Sequence, residues 1–342
     1  MLPLVHQENG RSFSDVWQEY GLDANRIGEA HTAFAKLPVK AYLELHIEQA
    51  PLLALAKKSV ACVYGVCGCN RQYITFRGQQ GHCGSPVALR QDAFIAAAQT
   101  TLDLREIALK YDSYCTVGNI EVKPDLTTIS PGYCRISLDQ RSIKPETMQT
   151  IVAEAKAAAQ KHAQEGKLTV EFEPIWHAEP ILFDEQLVED CNAAVEEETG
   201  ARHSMYSAPL HDAVPLNAVV PSVMMFAQSD PGISHCKEEN TPQPQLEEAI
   251  RAFIRLAEKE LRTSFAEQAL KPAATLQQSN FIFLYDKSSF CDAEAALLFI
   301  RHIYFIKSFS PRIRITFQVK HRLRSDWSKN IGTQAPTIPS LQ

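Results

Sequence analysis

Alternation of apolar and polar residues predicts a compact α+β module between about residues 70 and 178. The period-2 pattern of half-buried strands recurs in four segments, residues 72–77, 115–123, 133–139 and 168–172. Helical spacing predicts one helix over 91–111 and another that begins at Pro145 and stops at Gly166. The order βαββαβ is that of the ferredoxin-like arrangement, in which two helices cover one face of a four-stranded antiparallel sheet.

Apolar segments on both sides of this module predict a second structural unit. Upstream, residues 40–66 are strand-like, and residues 65–68 are expected to form the turn into the module, because no helix follows them as a phosphate loop would require. Downstream, a helix over 185–198 precedes an apolar strand over 223–227. An amphipathic helix over 246–261 completes the pattern.

Composition is that of an ordinary globular chain. With 342 residues, 45% hydrophobic residues and 14 glycines, the chain is neither disordered nor collagen-like. The net charge, 34 − 40 = −6, gives no reason to expect nucleic acid as a partner. Residues 263–342 differ, since they hold 10 basic and 5 acidic side chains (+5) and include a basic run over 312–324. A nucleic-acid or membrane-surface arm is one interpretation of this segment, and a poorly ordered extension is the other.

The lack of recognisable targeting signals and the spacing of the cysteines favour a cytoplasmic protein. The N-terminal residues lack the basic and apolar regions of a signal peptide, and no apolar stretch reaches the roughly 18–20 residues that span a bilayer, so no membrane is expected as a partner. Nine cysteines, an odd number without CxxC spacing, indicate reduced thiols rather than a disulfide framework or zinc ribbon.

Histidines are the most informative candidates for chemistry. Two of them, His211 and His235, flank the predicted strand at 223–227 and are therefore expected in loops at the end of a sheet. No HExxH or paired-cysteine spacing occurs, so metal binding cannot be argued from local sequence. A single histidine of this kind more often has a structural role than a functional one. The neighbours His82 and Cys83 suggest a Cys–His pair, although adjacent residues rarely face each other productively.

Six motifs occur in one order along the chain: His46-Ile47-Glu48-Gln49, Gly81-His82-Cys83-Gly84-Ser85-Pro86 with Arg90-Gln91-Asp92-Ala93, Thr116-Val117-Gly118, Asp139-Gln140-Arg141-Ser142, His211-Asp212-Ala213, and Gly232-Ile233-Ser234-His235 with Glu238-Glu239 and Thr241. Together they resemble the N-carbamoyl-L-amino-acid hydrolase / allantoate amidohydrolase family, zinc-dependent hydrolases within the aminoacylase and carboxypeptidase-like metallopeptidase superfamily. The resemblance runs from about residue 11 to residue 262.

This resemblance implies an α/β fold in which a metallopeptidase-like catalytic domain carries an inserted ferredoxin-like lid that also serves for dimerisation. It assigns residues 1–69 and 179–262 to a partial catalytic domain and residues 70–178 to the lid. Residues 263–342 lie outside the family and are expected to be poorly ordered. The implied partners are a small carbamoyl or ureido substrate and a second copy of the chain, joined through the lid.

The resemblance also implies roles for individual residues. His46 and His235 correspond to ligands of two different divalent metals, and imidazole ligation is compatible with zinc, manganese or cobalt. His82 corresponds to a catalytic residue that polarises the scissile carbonyl across the dimer, and Arg141 to the residue that holds the substrate carboxylate. Residues expected to line the substrate site are Gln49, Thr128 and His211. The implied reaction releases ammonia and carbon dioxide from a carbamoyl substrate by attack of metal-activated water.

Departures from the family pattern bear on activity. The family's Gly-Ser-His-x-Asp-Thr block and the Glu-Glu pair that follows it have no counterpart in the sequence, which predicts an N-terminally truncated form. Metal binding by such a form is doubtful. Loss of the general base should lower turnover roughly 10²–10⁴-fold. Asp125 and Thr128 stand where the family commonly has asparagines. The alternatives are a non-catalytic dimerisation or binding protein that donates His82 and Arg141 to an intact partner, and an unstable fragment with an exposed sheet edge.

Overall fold

The computed structural model describes residues 10–36, 39–269, 280–285 and 314–319. Its α-helices are α1 (Phe13–Glu19), α2 (Ile27–Ala35), α3 (Leu52–Leu55), α4 (Ala93–Lys110), α5 (Pro145–Glu165), α6 (Glu185–Thr199), α7 (Ala213–Asn217) and α8 (Gln243–Ala269). Its strands are β1 (Val39–Ile47), β2 (Val60–Val66), β3 (Gly68–Arg77), β4 (Gly81–His82), β5 (Tyr114–Thr116), β6 (Ile120–Lys123), β7 (Ile129–Ser130), β8 (Tyr133–Ser142), β9 (Thr169–Ala178), β10 (Ile181–Leu182), β11 (Ser204–Ser207), β12 (Ser222–Ala227), β13 (Asn280–Tyr285) and β14 (Arg314–Val319).

Local sequence signals explain where the long helices begin and end. Asp92 and Asp184 cap α4 and α6, since each carboxylate accepts hydrogen bonds from two backbone N–H groups of the first turn. Pro145 occupies the first turn of α5, where its missing N–H costs nothing. Gly200 ends α6 with φ +79°, a left-handed conformation that glycine adopts without strain. The helices predicted from the sequence are therefore present, and α8 runs longer than predicted.

The first sheet is built around β1 and β12, which are parallel, with Tyr42 opposite Ser222 and Ile47 opposite Ala227. β2 runs antiparallel to β12, and β11 and β10 pair with β2. Every residue of β12 is buried, as expected for a strand covered on both faces. One face packs on α6 and α8 through residues such as Cys191, Ile250 and Phe253.

The second sheet is the predicted βαββαβ unit. β3 pairs antiparallel with both β8 and β9, while β5 and β6 occupy the outer edge of β8. The burial pattern of β8 alternates at every residue, so one face of this sheet is buried. That face packs on α4 and α5 through an apolar cluster that includes Ile74, Phe76, Ala97, Ile136 and Ala159. The α/β architecture with an inserted ferredoxin-like unit is confirmed.

Two local predictions are wrong. Residues 115–123 form two short strands instead of one, because the chain bends between Thr116 and Ile120, where the Asn119 carbonyl accepts a hydrogen bond from Ser137 N. Residues 65–68 do not form a turn. β2 and β3 are separated by Cys67 alone, so an almost continuous strand passes from the first sheet into the second.

The segment after residue 262 contributes two strands to the first sheet. β13 lies parallel to β1, with Leu43 opposite Phe283, and β14 lies parallel to β13. The apolar residues of β13 thus pair with β1. The predicted basic run and the predicted poor order of residues 263–342 fall largely outside the described residues. Within the described chain, no helix is both long and apolar enough to cross a bilayer.

A pair of carboxyl groups, Asp190 buried and Glu260 partly buried, lies between α6 and α8 and makes stability depend on pH. Burial, together with hydrogen bonding to Asp190, raises the pKa of Glu260 from 4.5 to about 7. The pKa of Asp190 shifts the other way: burial alone would raise it, but hydrogen bonds from Lys259 and Gln186 lower it. Of the two carboxyl groups, Glu260 is therefore the one that stays protonated as pH rises towards 7.

We expect the free energy of unfolding of the native chain to fall as pH rises from about 4.5 to 7. Glu260→Gln should abolish this fall. In that window the folded chain binds one proton more than the unfolded chain at this position, so the free energy of unfolding falls as pH rises. Urea unfolding midpoints measured across this range test the prediction. Glu258→Gln, two positions earlier on α8, is the matched control and should keep the native pH profile. A decline that persists in Glu260→Gln would contradict the assignment.

Candidate active site

The C-terminal half of β1 and the loop before α7 place three potential metal ligands together. Glu44 and His46 are two positions apart on β1, so their side chains leave the strand on the same face. His211 meets them from the loop: its Nδ1 lies 4.0 Å from Glu44 Oε1, and its ring centroid lies 4.5 Å from that of His46. One ligand atom from each residue lies within 4.8 Å of the others, a spacing that suits a metal ion. This is the only such group among the residues that the structure describes.

Neighbouring polar groups orient all three side chains. Glu44 Oε2 accepts hydrogen bonds from Ala213 N at 2.8 Å and from the hydroxyl of Tyr42 at 3.1 Å. His46 Nδ1 lies 2.8 Å from the carbonyl oxygen of Ile47, and His211 Nε2 lies 2.7 Å from Ser207 Oγ. Burial and the Glu44 carboxylate raise the pKa of Tyr42 well above its usual range, so its hydroxyl remains a donor.

Two residues that follow His46 in its motif, Glu48 and Gln49, have structural roles. Glu48 is buried, and its two carboxylate oxygens accept hydrogen bonds from Leu52 N at 2.8 Å and Leu53 N at 2.9 Å, which caps the short helix α3. Burial raises the pKa of Glu48, and these two hydrogen bonds act against that rise. Gln49 adopts φ +61° and donates from Nε2 to Ser234 Oγ at 3.0 Å, which ties the end of β1 to the loop that carries His235.

His235 lies in an exposed loop after β12. Its φ is +60°, and Glu239 holds the segment by accepting hydrogen bonds from His235 N at 3.2 Å and from Ser234 Oγ at 3.1 Å. Gly232 is required in this loop, because a Cβ at that position would lie 2.6 Å from Pro51 Cα. His235 is thus near Gln49 through Ser234, yet it is not one of the three residues of the Glu44, His46 and His211 group.

The predicted catalytic histidine, His82, lies beside Thr128 in a separate two-stranded sheet. β4 pairs with β7, with His82 opposite Ile129, and the Thr128 carbonyl accepts a hydrogen bond from Cys83 N at 2.8 Å. His82 is exposed, and its Nδ1 accepts a hydrogen bond from Gly84 N at 3.1 Å. The ring is therefore oriented by its own loop rather than by the adjacent Cys83, which removes the support for a Cys–His pair.

Arg141 connects the second sheet to the His211 loop. Its Nη1 donates to the Ala208 carbonyl at 2.8 Å, and its Nε donates to Asp139 Oδ1 at 2.7 Å. Arg71 Nε also contacts Asp139, at 2.5 Å. Burial alone would raise the pKa of Asp139, but the hydrogen bonds from Arg141 and Arg71 lower it below its usual range. Arg141 is thus engaged by an ionised carboxylate, and it contacts the backbone three residues before His211.

Sequence reasoning missed three residues of this region. Glu44 could have been found from its position two residues before His46 on a predicted strand. Asp139 carried the same signal, since it lies two residues before Arg141 on a predicted strand. Ser207 carried none, although it lies only four residues before His211.

Comparison with known proteins shows what the chain is similar to. The profile of peptidase family M20/M25/M40 matches residues 17–259. An N-carbamoyl-L-amino acid amidohydrolase of Geobacillus stearothermophilus is 30% identical over 234 residues, which cover 67% of this chain and 56% of that protein. An allantoate amidohydrolase of Bacillus subtilis is 26% identical over 255 residues, covering 74% of this chain and 61% of that protein. The chain therefore spans little more than half the length of these two relatives.

A solved structure gives the same similarity in three dimensions. The crystal structure of an amidase of the hydantoinase/carbamoylase family from Burkholderia multivorans matches with a TM-score of 0.63 and 27% identity. The match covers 72% of this chain and 64% of that one.

Proposed function

Because this chain belongs to peptidase family M20/M25/M40, we propose that it is a metal-dependent amidohydrolase that cleaves a non-peptide C–N bond in a linear ureido or carbamoyl substrate. The family match over residues 17–259 carries this proposal, and the similarity to an N-carbamoyl-L-amino acid amidohydrolase and an allantoate amidohydrolase suggests the substrate class. N-carbamoyl amino acids and allantoate both present a ureido carbon together with a carboxylate. We assign residues 1–69 and 179–262 to the catalytic domain and residues 70–178 to a lid.

The donor set around His46 fits a divalent metal, because two imidazoles and a carboxylate meet there with their outer atoms held by hydrogen bonds. When bound, such an ion supplies Lewis-acid polarisation and lowers the pKa of a bound water. His46 is proposed as a ligand of one metal. His235 is proposed, from the family resemblance alone, as a ligand of a second, and its exposed loop near Gln49 leaves it accessible.

The remaining assigned residues would bind and orient the substrate. His82 is proposed to donate a hydrogen bond to the scissile carbonyl oxygen and stabilise its developing negative charge. Arg141 is proposed to bind the substrate carboxylate, sharing its guanidinium with Asp139, whose contact raises the pKa of Arg141 and keeps it charged. Gln49, Thr128 and His211 complete the proposed lining of the site.

We further propose a homodimer formed through the lid. α4 exposes a stripe of apolar side chains at seven-residue intervals, Ile95, Leu102 and Leu109, with exposed fractions of 52%, 66% and 63%. Exposed apolar side chains aligned on one helix face favour contact with another apolar surface. A cytoplasmic location is also proposed. The eight cysteines of the described chain are all free, as is usual in a reducing compartment.

Leu102→Lys is expected to convert the dimer to a monomer, because a charge at the centre of the α4 stripe would be buried without a partner. Light scattering after size-exclusion chromatography gives the mass directly. Gln149→Lys adds the same charge to an exposed position of α5 and should leave the dimer intact. A dimer of unchanged mass in Leu102→Lys would place the interface elsewhere.

Ammonium release tests the activity. The purified chain, loaded with zinc, manganese or cobalt, should release ammonium from an N-carbamoyl-L-amino acid or from allantoate, and a chelator should stop the reaction. A dipeptide carrying no ureido group is the control substrate and should not be cleaved. Absence of ammonium release from every ureido substrate by metal-loaded chain would contradict the proposal.

A further inference from the structure

We propose that a cavity on the α8 side of the first sheet binds a small phosphorylated sugar or polyol, with Lys57 and Lys58 holding its phosphate group. The cavity has a volume of about 540 Å³, a size typical of small-molecule sites. Three segments line it: the loop between α3 and β2, the residue that follows β12, and the first turns of α8. Binding here is separate from the proposed reaction and requires no metal.

The cavity lies at the same edge of the first sheet as His46 but on the opposite face. The end of β12, at Ala227, pairs with the start of β2 and with the end of β1, which brings the cavity and His46 to one edge. Ile47 belongs to the apolar cluster that packs on α8. Because successive side chains of a strand alternate between its faces, His46 points to the other face. The sheet thus separates the cavity from the group formed by Glu44, His46 and His211.

Two lysines of the cavity wall carry charge that no carboxylate of the described chain neutralises. Neither Lys57 nor Lys58 forms an ion pair with a described residue. Burial first, and then the charge of Lys58, lower the pKa of His203, so the positive charge of this lysine is felt by its neighbours. Arg251 also lines the cavity, but Glu198 engages its guanidinium. The uncompensated charge of the two lysines therefore attracts an anion.

Hydrogen bonds fix the backbone that carries both lysines. Lys57 has φ +54°, a left-handed conformation that is uncommon for lysine. Its N–H donates to the Ala54 carbonyl at 3.0 Å, and the N–H of Lys58 donates to the Leu53 carbonyl at 2.8 Å. The two ammonium groups thus extend from a loop of defined shape, which reduces the entropy lost when an anion binds.

The rest of the wall suits the phosphate and the hydroxyl groups of such a ligand. Lysine binds phosphate as a point charge, and the positive end of the α8 dipole adds to the attraction. The carboxamides of Gln228 and Gln245 make no side-chain hydrogen bond within the described chain, and Gln245 Oε1 is buried without a donor. Hydroxyl groups can both donate to and accept from a carboxamide. Among the described residues no aromatic side chain lines the cavity, so a nucleobase would find no stacking surface.

The cavity also contacts both ends of the loop that carries His235. Gln228 begins this loop, and Pro244 lies just after it in the first turn of α8. Between them, Asp230 N donates to the Asn240 carbonyl at 3.0 Å. A ligand that contacts both ends would restrain the loop. Hydrogen–deuterium exchange of backbone amides over residues 228–245 is therefore expected to slow when the ligand binds.

Glucose 6-phosphate and glycerol 3-phosphate are the probes, with inorganic phosphate and glucose as comparisons. Metal-free full-length chain is titrated by isothermal calorimetry, because a divalent ion would itself bind phosphate. At least one of the two esters should bind at one site per chain, and glucose should not bind. Inorganic phosphate should bind about tenfold more weakly than that ester, since it makes no hydrogen bonds through hydroxyl groups.

A double variant, Lys57→Gln/Lys58→Gln, should weaken binding of the ester by about tenfold or more and abolish the slowed exchange over residues 228–245. Lys36→Gln/Lys161→Gln removes the same two charges from exposed positions outside the cavity and should keep native affinity. Circular dichroism and thermal unfolding show whether both variants have folded.

Three results would overturn the proposal: no binding of either ester to the native chain, native affinity in the folded Lys57→Gln/Lys58→Gln variant, or tighter binding of succinate than of both esters, which would assign the cavity to a carboxylate. The titrations involve no turnover, so their outcome does not depend on whether the chain releases ammonium.

Discussion

His82→Ala is expected to lower kcat for ammonium release by about 10²–10³-fold while leaving metal affinity and thermal stability unchanged. This is the usual cost of removing one hydrogen-bond donor that stabilises an oxyanion. The structure keeps His82 exposed on β4 and orients its ring through Gly84 N, so truncation removes no core contact. Steady-state kinetics with a carbamoyl substrate, paired with Co²⁺ titration, would measure both quantities.

Cys83→Ala is the matched control for this prediction. Cys83 is the adjacent exposed residue of the same loop, and its substitution should change kcat by less than a factor of about 3, because its side chain has no proposed role. A drop in both variants of similar size would indicate a disturbed loop rather than a lost hydrogen bond.

Mixing variants tests whether His82 serves the site of the partner subunit. A dimer formed from His82→Ala and His46→Ala chains contains one site with both histidines intact if His82 acts across the interface, and none if it acts within its own chain. Recovery of activity on mixing is therefore expected. Continued inactivity of mixed dimers, with each single variant inactive, would assign His82 to its own subunit.

Phe76→Ala is expected to lower the free energy of unfolding by about 3–5 kcal/mol, since it leaves a cavity in the apolar layer between the second sheet and its helices. Phe76 is fully buried on β3 and packs in the cluster that contains Ala93 and Ile136. Urea unfolding monitored by circular dichroism would measure the change.

Phe94→Ala removes the same atoms from an exposed position and controls for the chemistry of the substitution. Phe94 is 40% exposed at the start of α4, so its loss should cost about 1 kcal/mol or less. Equal destabilisation by the two substitutions would show that this apolar layer does not hold the second sheet to its helices.

The elements of the fold could be predicted from the sequence because their signals are local. The alternation in β8 and the helical spacing of α5, with Pro145 at its start, are set by residues a few positions apart. The bend that splits β5 from β6 was missed, since it depends on Asn119 bonding to Ser137 across the sheet. The direct passage from β2 to β3 was missed because glycines at 65 and 68 suggest a turn, while here neighbouring backbone leaves no room for a Cβ at either position.

For the site, the sequence by itself determined which residue types are available and, through six ordered motifs, the family. Tertiary structure alone decided which of them meet. The family resemblance implied that His46 and His235 bind different metals and said nothing of a contact between His46 and His211, and the structure brings His211 against His46. The physical reason is that α7, which begins two residues after His211, packs on the face of the first sheet that carries Tyr42 and Phe226, and the His211 ring itself contacts Phe226. Ala213 N then donates to Glu44 from 169 residues away, a contact that no local pattern encodes.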